Sequence, residues 1–156
     1  MTDARPPRLL FVCLGNICRS PTAEGVMRAL AKRDGVVLEL DSAGTGAWHI
    51  GEPPDRRMQA AARAAGYDFS DLRARQAVAE DFDRFDLILA MDEENVAALE
   101  RLRPAGNDTP VRLMLSHGTS GRREVPDPYY DGGFDAVLRM IEEAAEGLLA
   151  QLRKER

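Results

Sequence analysis

The chain has 156 residues, with 26 acidic and 21 basic side chains spread along it for a formal charge of −5. That length supports one sizeable core and is too short for two ordinary domains, so a single domain over residues 1–156 is expected. The acidic balance argues against nucleic acid as a constitutive partner. The opening MTDARPPR, with an acid and two prolines, leads into a short apolar run that is neither a secretory leader nor a membrane span. Cys13 and Cys18 have no other cysteines to pair with, which excludes a disulfide framework and makes the cytoplasm the default compartment.

In chain order, Arg8 to Cys13 reads as a short buried strand, apolar and stopped by LGN. A helix is expected next, with Ser20 as N-cap, Pro21 at the first helical position, and Ala23, Val26, Met27 and Leu30 at helical spacing. Val36 to Leu40 offers a second strand, followed by the Gly- and Pro-rich loop DSAGTGAWHIGEPPD. Arg56 to Ala65 is Ala-rich and helical, and Gly66 closes it. A short helix near Glu80 to Phe85 precedes a strand over Asp86 to Met91. Asp92 should cap the following helix, which Pro104 ends. Val111 to Leu115 is the last strand candidate. After the loop SHGTSGRREVPDPYYDGG comes a C-terminal helix with Phe134, Val137, Leu138, Ile141, Ala145, Leu148 and Leu152 on one face. Strands alternating with helices imply an α/β fold with a parallel sheet covered on both sides.

The chemistry concentrates in VCLGNICRSP, where a cysteine ends the first strand. In open α/β sheets the ligand site lies beyond the carboxyl ends of the strands. Leu14, Gly15, Asn16, Ile17 and Cys18 would then form a loop whose N–H groups converge just ahead of a helix. Such a loop is an anion cradle, and the same field favours a thiolate at Cys13. Arg19 adds a planar fork for two oxygens of a tetrahedral oxyanion, and Gly15 and Asn16 tolerate the left-handed backbone that lets the loop curl. A nucleophile at the base of an oxyanion cradle points to transfer of a phosphoryl-like group. Nucleotide sites fit poorly. GTGAWHIG has His49 where a dinucleotide fingerprint needs its third glycine, and no Gly-Lys-Ser/Thr ends a glycine loop. His49 and His117 have no ligand spacing with the cysteines, so no metal site is expected.

VCLGNICRSPTAE resembles the signature of the low-molecular-weight protein tyrosine phosphatases, Cys-x₅-Arg-Ser/Thr near the N-terminus. The likeness continues through DSAGTGAWHIGEPPD, ARQ at Ala74 to Gln76, FDLILAMDEEN, and DPYY at Asp127 to Tyr130, covering nearly the whole chain in order. It implies a three-layer, flavodoxin-like fold with a four-stranded parallel sheet. It further implies hydrolysis of phosphotyrosine, in a protein or a small aryl phosphate, without metal or other cofactor. Inorganic phosphate or a similar oxyanion would also occupy the loop. By the same resemblance Cys13 is the nucleophile, Arg19 binds the equatorial oxygens, and Asp127 is the general acid and then base. Ser20 hydrogen-bonds the sulfur, Asn16 braces the loop, and Trp48, Tyr129 and Tyr130 flank the substrate ring. Members of the family often carry histidine where this chain has Leu72, which puts the bracing network of the loop in question. Cys18 has two readings, inert packing or a second thiol that traps oxidised Cys13.

Three other readings compete. A thioredoxin-coupled arsenate reductase would need further cysteines later in the chain, and none follows Cys18. A protein arginine phosphatase would resemble CLGNTCRS, whereas the fifth loop position here is the larger Ile17. A non-catalytic phosphopeptide-binding module would have lost the nucleophile or the acid, and both are present.

Overall fold

A computed structural model describes residues 5–155. The opening Met1 to Ala4, part of the stretch read above as carrying no leader, lies outside the described residues. Four parallel strands, β1 (Arg8–Cys13), β2 (Glu39–Gly44), β3 (Leu87–Ala90) and β4 (Val111–Leu113), lie in the order β2-β1-β3-β4. Six helices connect or follow them: α1 (Arg19–Asp34), α2 (Arg56–Ala64), α3 (Asp81–Arg84), α4 (Glu93–Leu102), α5 (Pro128–Asp131) and α6 (Phe134–Lys154). The pleat of β1 sorts its side chains between two cores. Leu9, Phe11 and Cys13 join one built with α1, α2 and α6, while Leu10 and Val12 join Phe82, Ile88, Ala90 and Leu99 on the opposite face. Among the described residues no helix is long and apolar enough to cross a membrane.

The elements depart from the sequence reading where local apolarity misleads. The second strand begins at Glu39, not Val36, because Gly35 turns left-handed (φ 68°) and the Val36 N–H caps α1 by donating to Ala31 O at 2.9 Å. It continues through Ser42, Ala43 and Gly44, residues too small to signal a strand, because the neighbouring loop packs closely there. A Cβ on Gly44 would stand 2.8 Å from the carbonyl oxygen of Leu14. Gly44 also forms a bridge to the ARQ segment, donating to Arg75 O and accepting from Ala77 N, both at 2.8 Å. The last strand ends at Leu113 and turns into a 3₁₀ helix over Met114–His117.

Helix α1 carries the correction with most bearing on the site. It starts at Arg19, so the cap position falls to Cys18, which makes no side-chain capping hydrogen bond. Ser20 lies inside the first turn and its hydroxyl is engaged elsewhere. The N–H groups of the turn therefore face the loop without a capping side chain.

Candidate active site

Cys13 closes β1 opposite Gly44, and Leu14 to Cys18 curl from it to the start of α1. Asn16 adopts φ 57°, the one left-handed non-glycine residue described, and this folds the loop back over the sulfur. The backbone N–H groups of Asn16 and Ser20 point at Cys13 Sγ from 3.3 and 3.4 Å, and Ser20 Oγ lies 3.0 Å from it. Three polar hydrogens can thus converge on the sulfur. The outside of the loop is tied to the fold. Cys13 O and Leu14 O each accept at 2.9 Å from the N–H groups of Thr45 and Gly46, and Ile17 O accepts from Asp55 N at 2.8 Å.

The side chain of Arg19 is only 3 % exposed. One terminal nitrogen donates to Asp92 Oδ2 at 2.6 Å and to the carbonyl of Val125 at 3.0 Å, and the other stands 3.6 Å from Asp127 Oδ2. Burial opposes the charge of this guanidinium, but Cys13, Asp92 and Asp127 outweigh it and hold Arg19 above its ordinary value. Asp127 opens α5, its Oδ1 accepting from Tyr129 N at 3.1 Å. It is at once the turn residue that Asp-Pro suggests and a carboxylate beside the cradle.

A cavity of about 220 Å³ lies above the sulfur. Its walls include Cys13, Leu14, Gly15, Ile17, Cys18 and Arg19 from the loop, and Trp48, Asp127, Tyr129 and Tyr130 from the rim. Every residue selected from the sequence is therefore at the cavity except Asn16 and Ser20, which stand behind the loop and support it. Trp48 is 71 % exposed and folds against Gly46, where any Cβ would strike its ring. Tyr129 and Tyr130 meet edge to face at 5.1 Å, and the Arg57 guanidinium lies 5.6 Å from the Tyr129 ring centre. Burial pushes the Cys18 thiol well above its ordinary range; Asp55, Cys13 and Asp127 add to this, while Arg57 opposes it. Both cysteines are free thiols.

Two site residues escaped the sequence reading. Asp92 caps α4, as its sequence position suggests, in a reciprocal box with Asn95, and its second oxygen holds Arg19. Its place at the carboxyl end of β3 was the available signal. His49, set aside with the metal question, lines the cavity with its ring against Gly15 and its Nδ1 3.2 Å from Glu52. Nothing in its local sequence marks that contact. Leu72, at the position where histidine is frequent in the family, is half-buried against the core, so the loop is braced by other groups.

The family model for low molecular weight phosphotyrosine protein phosphatase matches residues 8–156. The low molecular weight protein-tyrosine-phosphatase YfkJ of Bacillus subtilis is 44 % identical over 95 % of this chain and 97 % of its own. The crystal structure of YfkJ superposes with a TM-score of 0.94, covering 99 % of both chains at 42 % identity. A putative low molecular weight protein-tyrosine-phosphatase of Synechocystis is 47 % identical over 95 % of this chain and 98 % of its own. The crystal structure of a Drosophila arginine phosphatase also superposes, with a TM-score of 0.85 at 33 % identity over 92 % of this chain and 96 % of that one. A match running from the first strand to the last residue, carried by relatives of the same length, leaves one assignment: the chain belongs to the low molecular weight phosphotyrosine protein phosphatase family.

Proposed function

We infer that the chain works as a single domain that hydrolyses phosphotyrosine and related aryl phosphates in two steps. The observation that carries this reading is the convergence of two N–H groups and the Ser20 hydroxyl on Cys13 Sγ, with Arg19 and Asp127 at the same cavity. In the first step Cys13 Sγ attacks phosphorus in line, the S–P bond forms, and the P–O bond to the ring breaks. Asp127 gives its proton to the departing phenolate oxygen. Arg19 and the loop N–H groups hold the three equatorial oxygens throughout. In the second step water attacks phosphorus, Asp127 takes its proton, and the thiolate leaves with inorganic phosphate remaining in the cradle. Neither step calls for a metal ion or other cofactor.

Selectivity for an aryl group fits the walls. Ile17 gives the cavity an apolar side, and Trp48, Tyr129 and Tyr130 provide flat surfaces for a ring. The partner is then a phosphotyrosine-bearing protein or a small aryl phosphate. Two reduced thiols, one needed as the nucleophile, suit a reducing compartment such as the cytoplasm. The test compares phosphotyrosine, phosphoarginine and phosphoserine in the same peptide. Phosphotyrosine should give the highest kcat/KM by at least about tenfold, on the scale a pocket contact provides. A higher value for phosphoarginine would reassign the chain to the arginine class, and binding without turnover would make it a recognition module.

A further inference from the structure

Behind the cradle, hydrogen bonds run on to a carboxyl group that the two steps above do not use. Asn16 Oδ1 accepts from the backbone N–H of Arg75 at 3.0 Å, which orients the amide so that both Nδ2 hydrogens face hydroxyls. They reach Ser20 Oγ at 2.8 Å and Ser42 Oγ at 3.0 Å. Ser42, only 4 % exposed, donates its own proton to Glu24 Oε1 at 2.7 Å. With Ser20 beside the sulfur at 3.0 Å, an unbroken line joins Glu24, Ser42, Asn16, Ser20 and Cys13. Glu24 itself is 9 % exposed.

Several charged groups face this carboxyl. Burial is the largest influence and pushes Glu24 up to about 7; the Ser42 hydrogen bond opposes it, Asp41 of β2 adds to it, Arg28 of α1 opposes it, and Asp71 adds to it. Arg28 is itself held by Asp71 in a two-pronged pair at 2.9 Å, and Asp41 is paired with Arg75. The cation that acts on Glu24, Arg28, is thus shared with Asp71, and the carboxyl is held by the Ser42 hydroxyl.

We propose that Glu24 is a positioning residue whose ionised carboxylate, acting through Ser42 and Asn16, holds the phosphate cradle and the Ser20 hydroxyl in register with Cys13. An ionised carboxylate only accepts, so Ser42 donates to it and presents lone pairs to Asn16. A carboxyl that has taken a proton from solvent can donate instead. The displaced Ser42 proton then competes with the Asn16 N–H for the space between them. Asn16 loses one of the anchors that keep it at a positive φ, and the loop loosens.

This inference rests on the reading of Cys13 as nucleophile, so its test includes a measurement that does not depend on turnover. Glu24→Gln preserves shape and fixes the neutral form. The kcat/KM for phenyl phosphate and the iodoacetamide alkylation rate of Cys13, read by mass spectrometry, would be followed from about pH 5.5 to about pH 8.5. The ratio of wild type to Glu24→Gln in kcat/KM should rise from near unity to roughly tenfold, the scale of one charge-assisted hydrogen bond. The alkylation ratio should share its midpoint. In a Ser42→Ala background, where the line is cut, Glu24→Gln should have no further pH-dependent effect. Ser42→Ala against wild type serves as the test if Glu24→Gln does not fold, and it should show the same midpoint. A ratio constant across pH, or a Glu24 effect undiminished by Ser42→Ala, overturns the proposal. Failure of the nucleophile reading would look different: hydrolysis would survive in Cys13→Ser, while the alkylation midpoint of the wild type would persist.

Discussion

The floor and the rim of the cavity are built on opposite principles. Cys13, Asn16, Arg19 and Ser20 are at most 3 % exposed and held by hydrogen bonds to one another, to Ser42 of β2, to the Asp92 carboxylate that caps α4 and to the segment around Arg75. Trp48 and Tyr130 are more than 70 % exposed, and Tyr129 is 40 % exposed. A phosphoryl group has one shape and charge, so a rigid, pre-aligned floor serves every substrate. The part of the substrate beyond the ring varies, and an exposed aromatic rim adapts to it. Changes to the floor should therefore act on the chemical step, and changes to the rim on binding.

The largest break in this contrast is Cys13→Ser. Turnover of phenyl phosphate should fall by at least about 10³-fold, as when a nucleophile is removed from an intact site, while vanadate still binds by titration calorimetry because the loop N–H groups and Arg19 remain. Turnover within about tenfold of wild type would end the thiolate mechanism. Asp127→Ala comes next. It should slow cleavage of phenyl phosphate by roughly 10²–10⁴-fold, and that of nitrophenyl phosphate less, because a weakly basic phenolate needs less protonation. A loss equal across a series of leaving groups would make Asp127 only the cap of α5. Trp48→Ala is the smallest. The lost ring contact is worth about 0.5–1.5 kcal/mol, so KM for aryl substrates should rise by about two- to twelvefold with kcat unchanged. A drop in kcat with constant KM would place Trp48 with the floor.

The same division governs what could be read from the chain before its structure. The floor was legible because its residues are consecutive: strand, turn and helix follow one another between Leu9 and Leu30, so spacing alone brings Cys13 and Arg19 together. Contacts made across the fold were less so. Asp92 looked complete as a helix cap, and only the packing of β3 beside β1 brings its carboxylate to Arg19. His49 and the Glu24–Ser42 pair depend on how β2 and its following loop fold over the cradle. The extent of β2 was misjudged for a related reason. Ser42, Ala43 and Gly44 carry little strand propensity, and at Gly44 the Leu14 carbonyl leaves no room for a side chain. The helix start was misplaced because Ser20, an ideal cap by type, serves the sulfur instead.

The bridge between Gly44 and the Arg75 segment also bears on how the molecules behave together at high concentration. A parallel sheet of four strands has two open edges, each a template on which another chain can pair. At the β2 edge the Ser42 N–H is taken by the Asp41 carboxylate at 2.8 Å, and both backbone groups of Gly44 are taken by the Arg75–Ala77 backbone. At the β4 edge the strand lasts three residues before turning into the 3₁₀ helix, and the hydroxyl of Ser116 donates to the Leu113 carbonyl at 2.6 Å. The segment that steadies the phosphate cradle thus also blunts a sheet edge, which guards the fold against growth by strand addition.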